Sequence, residues 1–378
     1  MARPDVIAVY PITPQTPLAE LLSKFYAQGQ FDAELIEVEG ENSSMGSVMG
    51  ASAAGGRTFT ATSSWGLAFM HDGLMFCSGM RLPVVMVNVT RETTFMRGVL
   101  SSRQDIMGMR DTGWIQIEAE TCQEILDSIL MAYRLAEDTD ILVPVVVCYD
   151  GYYLSHLSER VDIPDQEQVN EFFKPLADMN RLRIEPGTNL QFAVSPLAND
   201  GELVAEYHYK HSQAMERVKS KLPDIEKEFH AIFGRSYGGL VDAYRTDDAD
   251  IVFVTAGSAA GTVKVIVDEA REAGVKVGVA RIRVFRPFPK QELLTLLQGK
   301  KAVGFIERSA CFGWDCGHLY METSVLRHQL PGVEFVDFIE GLGGMDISKD
   351  RIRRALAVLK DVASGQKLES HVLWAGIE

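Results

Sequence analysis

Apolar residues in the first 150 positions come in short runs set between stretches of helical spacing. Val6–Tyr10, Leu35–Val38, Thr58–Ala61, Pro83–Val89 and Ile141–Tyr149 are strand-sized and read as strands. Leu18–Tyr26 carries apolar residues at 18, 21, 22, 25 and 26, the spacing of one helix face. Asn42–Gly55, rich in Gly, Ala and Ser, reads as a helix packed at close range. Gly66–Cys77 and Cys122–Ala136 read as two more helices. Apolar strands alternating with helices predict a parallel sheet covered on both faces.

The pattern changes after Asp162. Residues 164–247 are polar and irregular, with Pro186, Pro196, Asn199 and Gly201 interrupting any period and one charged helix over about Tyr207–Phe233. This stretch reads as an extended connector that makes subunit contacts. A second α/β unit follows. Its strands are predicted at Asp250–Thr255, Val275–Arg281, Lys301–Glu307 and Val333–Ile339. Its helices are predicted at Val263–Ala273, Lys290–Leu297, Tyr320–Arg327 and Lys349–Ser364, with Leu368–Glu378 as a surface extension. The expected division is residues 1–163, 164–247 and 248–378.

No apolar run approaches the roughly 18–20 residues of a membrane span. The N-terminus has no signal-peptide pattern, so a cytoplasmic location is expected. The net charge of −15, without any five-residue basic cluster, gives no electrostatic reason to hold a nucleic acid. The five cysteines are an odd, sparse set that reads as reduced thiols. The Cys311/Cys316 spacing matches neither zinc nor iron–sulfur patterns, so no metal is expected on this chain.

Four short segments carry candidate chemistry. Tyr10-Pro11-Ile12-Thr13-Pro14 ends a strand, and its two prolines pin Thr13 in a stiff turn, either structural or beside a ligand. Glu37-Val38-Glu39-Gly40-Glu41 leads into the small-residue helix. Glu41 sits at the junction and serves either the helix dipole or a proton transfer. Thr62-Ser63-Ser64-Trp65-Gly66 offers hydroxyls that either bind a ligand or cap a helix. Arg110, in Met109-Arg110-Asp111-Thr112-Gly113-Trp114, suits a bidentate carboxylate clamp or a pairing with Asp105 or Asp111. Gly257–Gly261 lacks the lysine and full glycine pattern of a phosphate cradle and reads as a plain turn.

The order and wording of these segments resemble the alpha subunit of the pyruvate:ferredoxin oxidoreductase and 2-oxoacid:acceptor oxidoreductase family. The stretches that carry the resemblance are AVYPITPQTP, IEVEGENSSMGSVMGASAAGG, SGMRLPVVMVNV, GMRDTGWIQ, RIRVFRPFP and FIEGLGGMDIS. The resemblance implies a pyrimidine-type thiamine-diphosphate-binding parallel-sheet domain followed by a transketolase C-terminal-like α/β domain. It assigns Glu41 to the aminopyrimidine nitrogen, with Glu39 as the alternative one strand repeat away. Pro11, Ser63 and Ser64 join Glu41 against the cofactor, and Thr13 and Arg110 face the substrate. The implied reaction is coenzyme A-acylating oxidative decarboxylation of a 2-oxoacid. Thiamine diphosphate is shared with a beta subunit, while Mg2+ and [4Fe–4S] clusters lie on partners of beta, gamma and delta type. Electrons pass to ferredoxin or to an NAD-linked flavin subunit.

Two departures from the family pattern stand out. The first strand begins within about ten residues of Met1, too short a lead for an additional helix. The loop 90–108 reads TRETTFMRGVLSSRQDIMG and brings in Phe95, Met96 and Leu100, with Arg103-Gln104 where pyruvate-type relatives have Asp-His. The added apolar residues either widen a substrate pocket, for an aryl 2-oxoacid such as phenylglyoxylate, or pack the loop. Thr13, where oxalate-type relatives have arginine, argues against oxalate. A non-catalytic assembly subunit and an electron-transfer flavoprotein are the rival readings. The second would need a dinucleotide fingerprint.

Overall fold

The computed structural model describes residues 1–95, 98–177 and 201–375. Its strands are β1 (Val6–Val9), β2 (Glu34–Glu37), β3 (Thr58–Thr62), β4 (Val85–Thr90), β5 (Ile115–Glu118), β6 (Val145–Asp150), β7 (Val241–Tyr244), β8 (Ile251–Thr255), β9 (Val277–Ile282), β10 (Val284–Arg286), β11 (Ala302–Glu307), β12 (Glu334–Ile339) and β13 (Val372–Leu373). They form two sheets, ordered β10-β5-β6-β4-β3-β1-β2 and β13-β12-β11-β8-β9-β7. Both are parallel except at an edge, where β10 and β7 run antiparallel.

The helices are α1 (Thr16–Ala27), α2 (Glu41–Ala53), α3 (Ser64–Phe69), α4 (His71–Gly79), α5 (Gln104–Gly108), α6 (Cys122–Ala136), α7 (Gln166–Ala177), α8 (Gly201–Phe233), α9 (Ala259–Glu272), α10 (Lys290–Leu297), α11 (His318–Ser324) and α12 (Lys349–Ala363). Side chains alternate across each strand. In β4, Val85, Val87 and Val89 enter a core beneath α6, α7 and α8, while Met86 points to the other face. That second core is continuous with β8, β11 and β12 through Val252, Phe305 and Phe335, so the two sheets share one apolar layer. A third core fills the space between the second sheet and helices α9 and α12.

Several sequence expectations are corrected. The helix expected over Gly66–Cys77 starts at Ser64 and is divided at Met70 into α3 and α4. The stretch read as an extended connector holds two helices, α7 and α8. Phe172, Val218, Leu222 and Phe229 bury against the first sheet's core, and the Arg134 guanidinium reaches Glu228 at 2.8 Å. The helix expected from about Tyr207 already includes Gly201, read as an interruption of the period, while Pro186, Pro196 and Asn199 lie outside the described residues. The tail is not wholly a surface extension, because β13 pairs in parallel with β12. β5, β7, β10 and α5 went unread because each is too short to show a period.

Candidate functional site

In the first sheet β1 lies between β2 and β3, so the strand order reverses between β1 and β3. Ligands of open parallel sheets bind beyond the carboxyl ends of the strands at such a reversal. The Tyr10–Pro14 turn leaves β1 at this point, and the Thr62–Gly66 turn leaves β3 beside it. Thr13 and Pro11 are exposed there, and the Thr13–Pro14 peptide is cis.

Glu41 is the first residue of α2 and is buried, whereas Glu39 is exposed and accepts a 2.6 Å hydrogen bond from the Ser43 hydroxyl. That bond holds the Glu39 carboxyl below its usual range. Two residues of separation therefore lead to opposite environments. Glu41 lies against the β3–α3 turn: a methyl group at Gly66 would sit 2.5 Å from both Glu41 Oε1 and Thr62 Oγ1. Only glycine leaves room there for the carboxylate. α2 is drawn close to α4 in the same way, since a Cβ at Gly73 would lie 2.6 Å from Met45 Cγ.

The β3–α3 turn is held from below by Asp105. Its carboxylate Oδ2 accepts from the Ser64 and Arg91 backbone N–H groups (3.0 and 3.1 Å) and from the Asn88 amide (3.0 Å). Burial pushes Asp105 up to about 7, against the pull of these donors. Ser64 adopts a left-handed conformation, φ +50°, and its hydroxyl donates to Glu92 O at 2.7 Å. Arg91 completes the link: its Nη1 donates to Thr13 O at 2.8 Å, and its guanidinium lies 5.6 Å from the Trp65 ring centroid. Sequence reasoning missed Arg91 altogether and considered Asp105 only as a partner for Arg110. Nothing local marks either residue, because their partners are far away in the chain.

The Ser44, Thr62 and Ser63 hydroxyls are buried without hydrogen-bond partners. Outside them, α3 and α4 present Trp65, Phe69, Met75 and Phe76, which are 45–64% exposed. Phe69 touches the site itself, lying 3.3 Å from where a Cβ at Gly40 would be.

Arg110 belongs to a different group. It lies 3.7 Å from Asp111 and 3.6 Å from Glu322, and donates to Met107 O; Arg286 donates to Arg110 O at 3.0 Å. Among the described residues no hydrogen bond or ion pair joins Arg110 to Thr13, Glu41 or Asp105. The neighbouring loop is an inter-sheet clamp. Arg103 pairs with Glu118 at 2.7 Å, and Gln104 exchanges two hydrogen bonds with Ala310. Phe95 is 69% exposed, Leu100 packs under Gly344, and Met96 lies outside the described residues. The Gly257 turn does receive an anion, but an internal one. The Ser258 N–H and hydroxyl donate to Asp150 Oδ2 at 2.8 and 2.6 Å. Burial works against the charge on Asp150, yet Arg308 and these bonds outweigh it and hold the group low.

The site therefore lies at the strand ends of a parallel sheet, with a buried acid beside an uncovered aromatic face. Residues 1–230 match the family described as pyruvate flavodoxin/ferredoxin oxidoreductase, thiamine diphosphate-binding, and residues 249–352 match pyruvate:ferredoxin oxidoreductase core domain II. The chain is 42% identical to the pyruvate synthase subunit PorA of Pyrococcus abyssi, over 100% of this chain and 94% of that one. It is 38% identical to the NADH-dependent phenylglyoxylate dehydrogenase subunit alpha of Aromatoleum evansii, over 99% of this chain and 91% of that one. In shape it is similar to a 2-oxoglutarate:ferredoxin oxidoreductase from Magnetococcus marinus. The TM-score is 0.67 at 17% identity, covering 96% of this chain and 62% of that chain. The chain belongs to the pyruvate flavodoxin/ferredoxin oxidoreductase family, as an alpha-type subunit of a 2-oxoacid oxidoreductase.

Proposed function

We propose that this chain supplies the pyrimidine-side half of a thiamine diphosphate site in a multi-subunit enzyme that oxidatively decarboxylates a 2-oxoacid of the pyruvate class to an acyl-CoA. The observation that carries the reading is the burial of Glu41 at the start of α2, against Thr62 and Gly66 and beside the uncovered Trp65–Phe76 face. The residues fit a neutral heteroaromatic ring. They offer one acid, several unpartnered hydroxyls and apolar walls. When bound, thiamine diphosphate supplies the nucleophile and the electron sink for decarboxylation. Glu41 holds a proton at the ring nitrogen, and Pro11, Ser63 and Ser64 line the ring's surroundings. Thr13 orients the substrate, and Arg110 turns from Glu322 to its carboxylate.

The described residues bring together no group of three or more His, Cys, Asp or Glu suited to a metal ion. In this reading partner chains complete the site and hold the diphosphate, Mg2+ and the [4Fe–4S] clusters. Beta, gamma and delta subunits fill those roles, with ferredoxin or an NAD-linked flavin subunit as acceptor. The Trp65–Phe76 face is where the beta subunit docks. No helix of the described residues is long and apolar enough to cross a membrane.

Changing Glu41 to Gln in the assembled complex is expected to abolish acyl-CoA formation and leave assembly intact. Normal turnover would overturn the reading in favour of an assembly subunit. The second substrate reading, an aryl 2-oxoacid with NAD as acceptor, is supported by the phenylglyoxylate relative. Assaying pyruvate, 2-oxoglutarate, branched 2-oxoacids and phenylglyoxylate with coenzyme A and a viologen dye decides it. A pyruvate-only profile excludes the aryl reading.

A further inference from the structure

Cys311 and Cys316 have no part in the chemistry above. They face each other across an antiparallel bridge, with the Cys311 N–H donating to Cys316 O at 2.7 Å. The four residues between them turn back through Gly313 (φ +81°) and Asp315 (φ +52°). Their tip carries Phe312 and Trp314, about 70% exposed. Facing residues of an antiparallel pair have Cα atoms about 5.5 Å apart and side chains on the same side of the ribbon. A disulfide spans Cα separations of about 4.4–6.8 Å. Both sulfurs are free thiols, with Cys311 partly exposed and Cys316 buried.

The base of the hairpin is fixed. Gly317, the next residue, donates its N–H to Asp337 Oδ2 at 2.6 Å, and the Tyr320 N–H donates to Glu307 Oε1 at 2.8 Å. Two buried carboxyls thus anchor the start of α11, and Ala310 on the other side is locked to Gln104. Both anchors lie outside the segment that a bond between the two thiols would close.

We propose that Cys311 and Cys316 are a thiol–disulfide modification site: a small-molecule disulfide oxidises them to an intrachain bond that staples the aromatic tip at the seam between the two sheets. The Cys311 thiolate attacks one sulfur of the disulfide, forming a mixed disulfide and releasing one thiolate. The Cys316 thiol then loses its proton and attacks the Cys311 sulfur, releasing the second thiolate. The two cysteines give up two electrons and two protons, and the disulfide becomes two thiols. The order of attack follows from accessibility, and burial pushes the Cys316 thiol up to about 12, which leaves Cys311 as the first nucleophile.

The test treats the assembled complex with oxidised glutathione, blocks free thiols with iodoacetamide and maps peptides without reduction. Trypsin releases Ser309–Arg327 as one peptide. The expected peptide is unalkylated, two hydrogens lighter than the dithiol form, and returns to double alkylation after dithiothreitol. Cys77 and Cys148, fully buried, serve as unreactive controls. C316S, which keeps Cys311, is expected to be alkylated at least about ten-fold faster than C311S. Two alkylated thiols after oxidant, or glutathione on both cysteines in place of a link, overturns the proposal. The wild-type mapping decides it whether or not the variants fold.

Discussion

Replacing Gly66 with Ala perturbs Glu41 without removing it. The new methyl group would lie 2.5 Å from Glu41 Oε1 and Thr62 Oγ1 and 2.7 Å from Glu41 Cγ. Favourable contacts to carbon begin near 3.5 Å, so the carboxylate must retreat by about 1 Å. Crowding of this kind costs about 1–3 kcal/mol, partly offset by the roughly 1 kcal/mol that alanine gains over glycine in a helix. Misplacing a reacting group by about 1 Å is worth roughly 100-fold in rate. Activity should therefore fall much further than stability. The assay pairs thermal unfolding of the chain, where a drop of a few °C is expected, with acyl-CoA formation by the assembled complex, expected down roughly 100-fold. Gly46→Ala is the stability control, because nothing lies within 4 Å of its Cβ position. Full turnover in the Gly66 variant would show that the carboxylate's position does not matter, and the assignment of Glu41 would fall with it.

Other outcomes follow from buried charge. Glu124, 1% exposed, accepts 2.8 Å hydrogen bonds from both Arg281 and Arg283, which tie α6 to β9 and to the residue that joins β9 to β10. Glu124→Gln takes the carboxylate from the buried Arg283, while Arg281 keeps Glu120 and Asp242 at 3.2 and 3.3 Å; the loss should be about 3 kcal/mol by urea unfolding, and one below about 1 kcal/mol would refute this. Glu340 is pushed by burial up to about 7, with Arg351 and Arg354 only partly opposing. Its folded value lies above its unfolded one, so its contribution is full below about 4.5 and is lost as pH rises through about 7. Glu340→Gln should remove up to about 3 kcal/mol of that decline, read from unfolding midpoints at several pH values, and an unchanged profile would contradict the burial argument. Phe95→Ser, at a 69% exposed position, should shift stability by less than about 0.5 kcal/mol. An altered 2-oxoacid preference in that variant would instead place Phe95 against substrate in the complex.

The sequence by itself determined the alternation of strands and helices, the small-residue α2 and the turns at Pro11–Pro14 and Ser63–Gly66. These are local patterns, set by period and by residues with restricted backbones. It also placed Glu41 at the start of the small-residue helix, while the choice of Glu41 over Glu39 came from the family resemblance. Tertiary structure alone decided what surrounds each candidate. Glu39 and Glu41 are two positions apart, yet one meets solvent and the other meets Thr62 and Gly66, a contact made by a separate strand. Asp105 and Arg91 became visible only when β4 brought them under the β3–α3 turn, and Arg110 only then fell in with Glu322 and Arg286. Pairings over such separations depend on how sheets stack, and a charged side chain's environment comes from elements that its own segment does not encode.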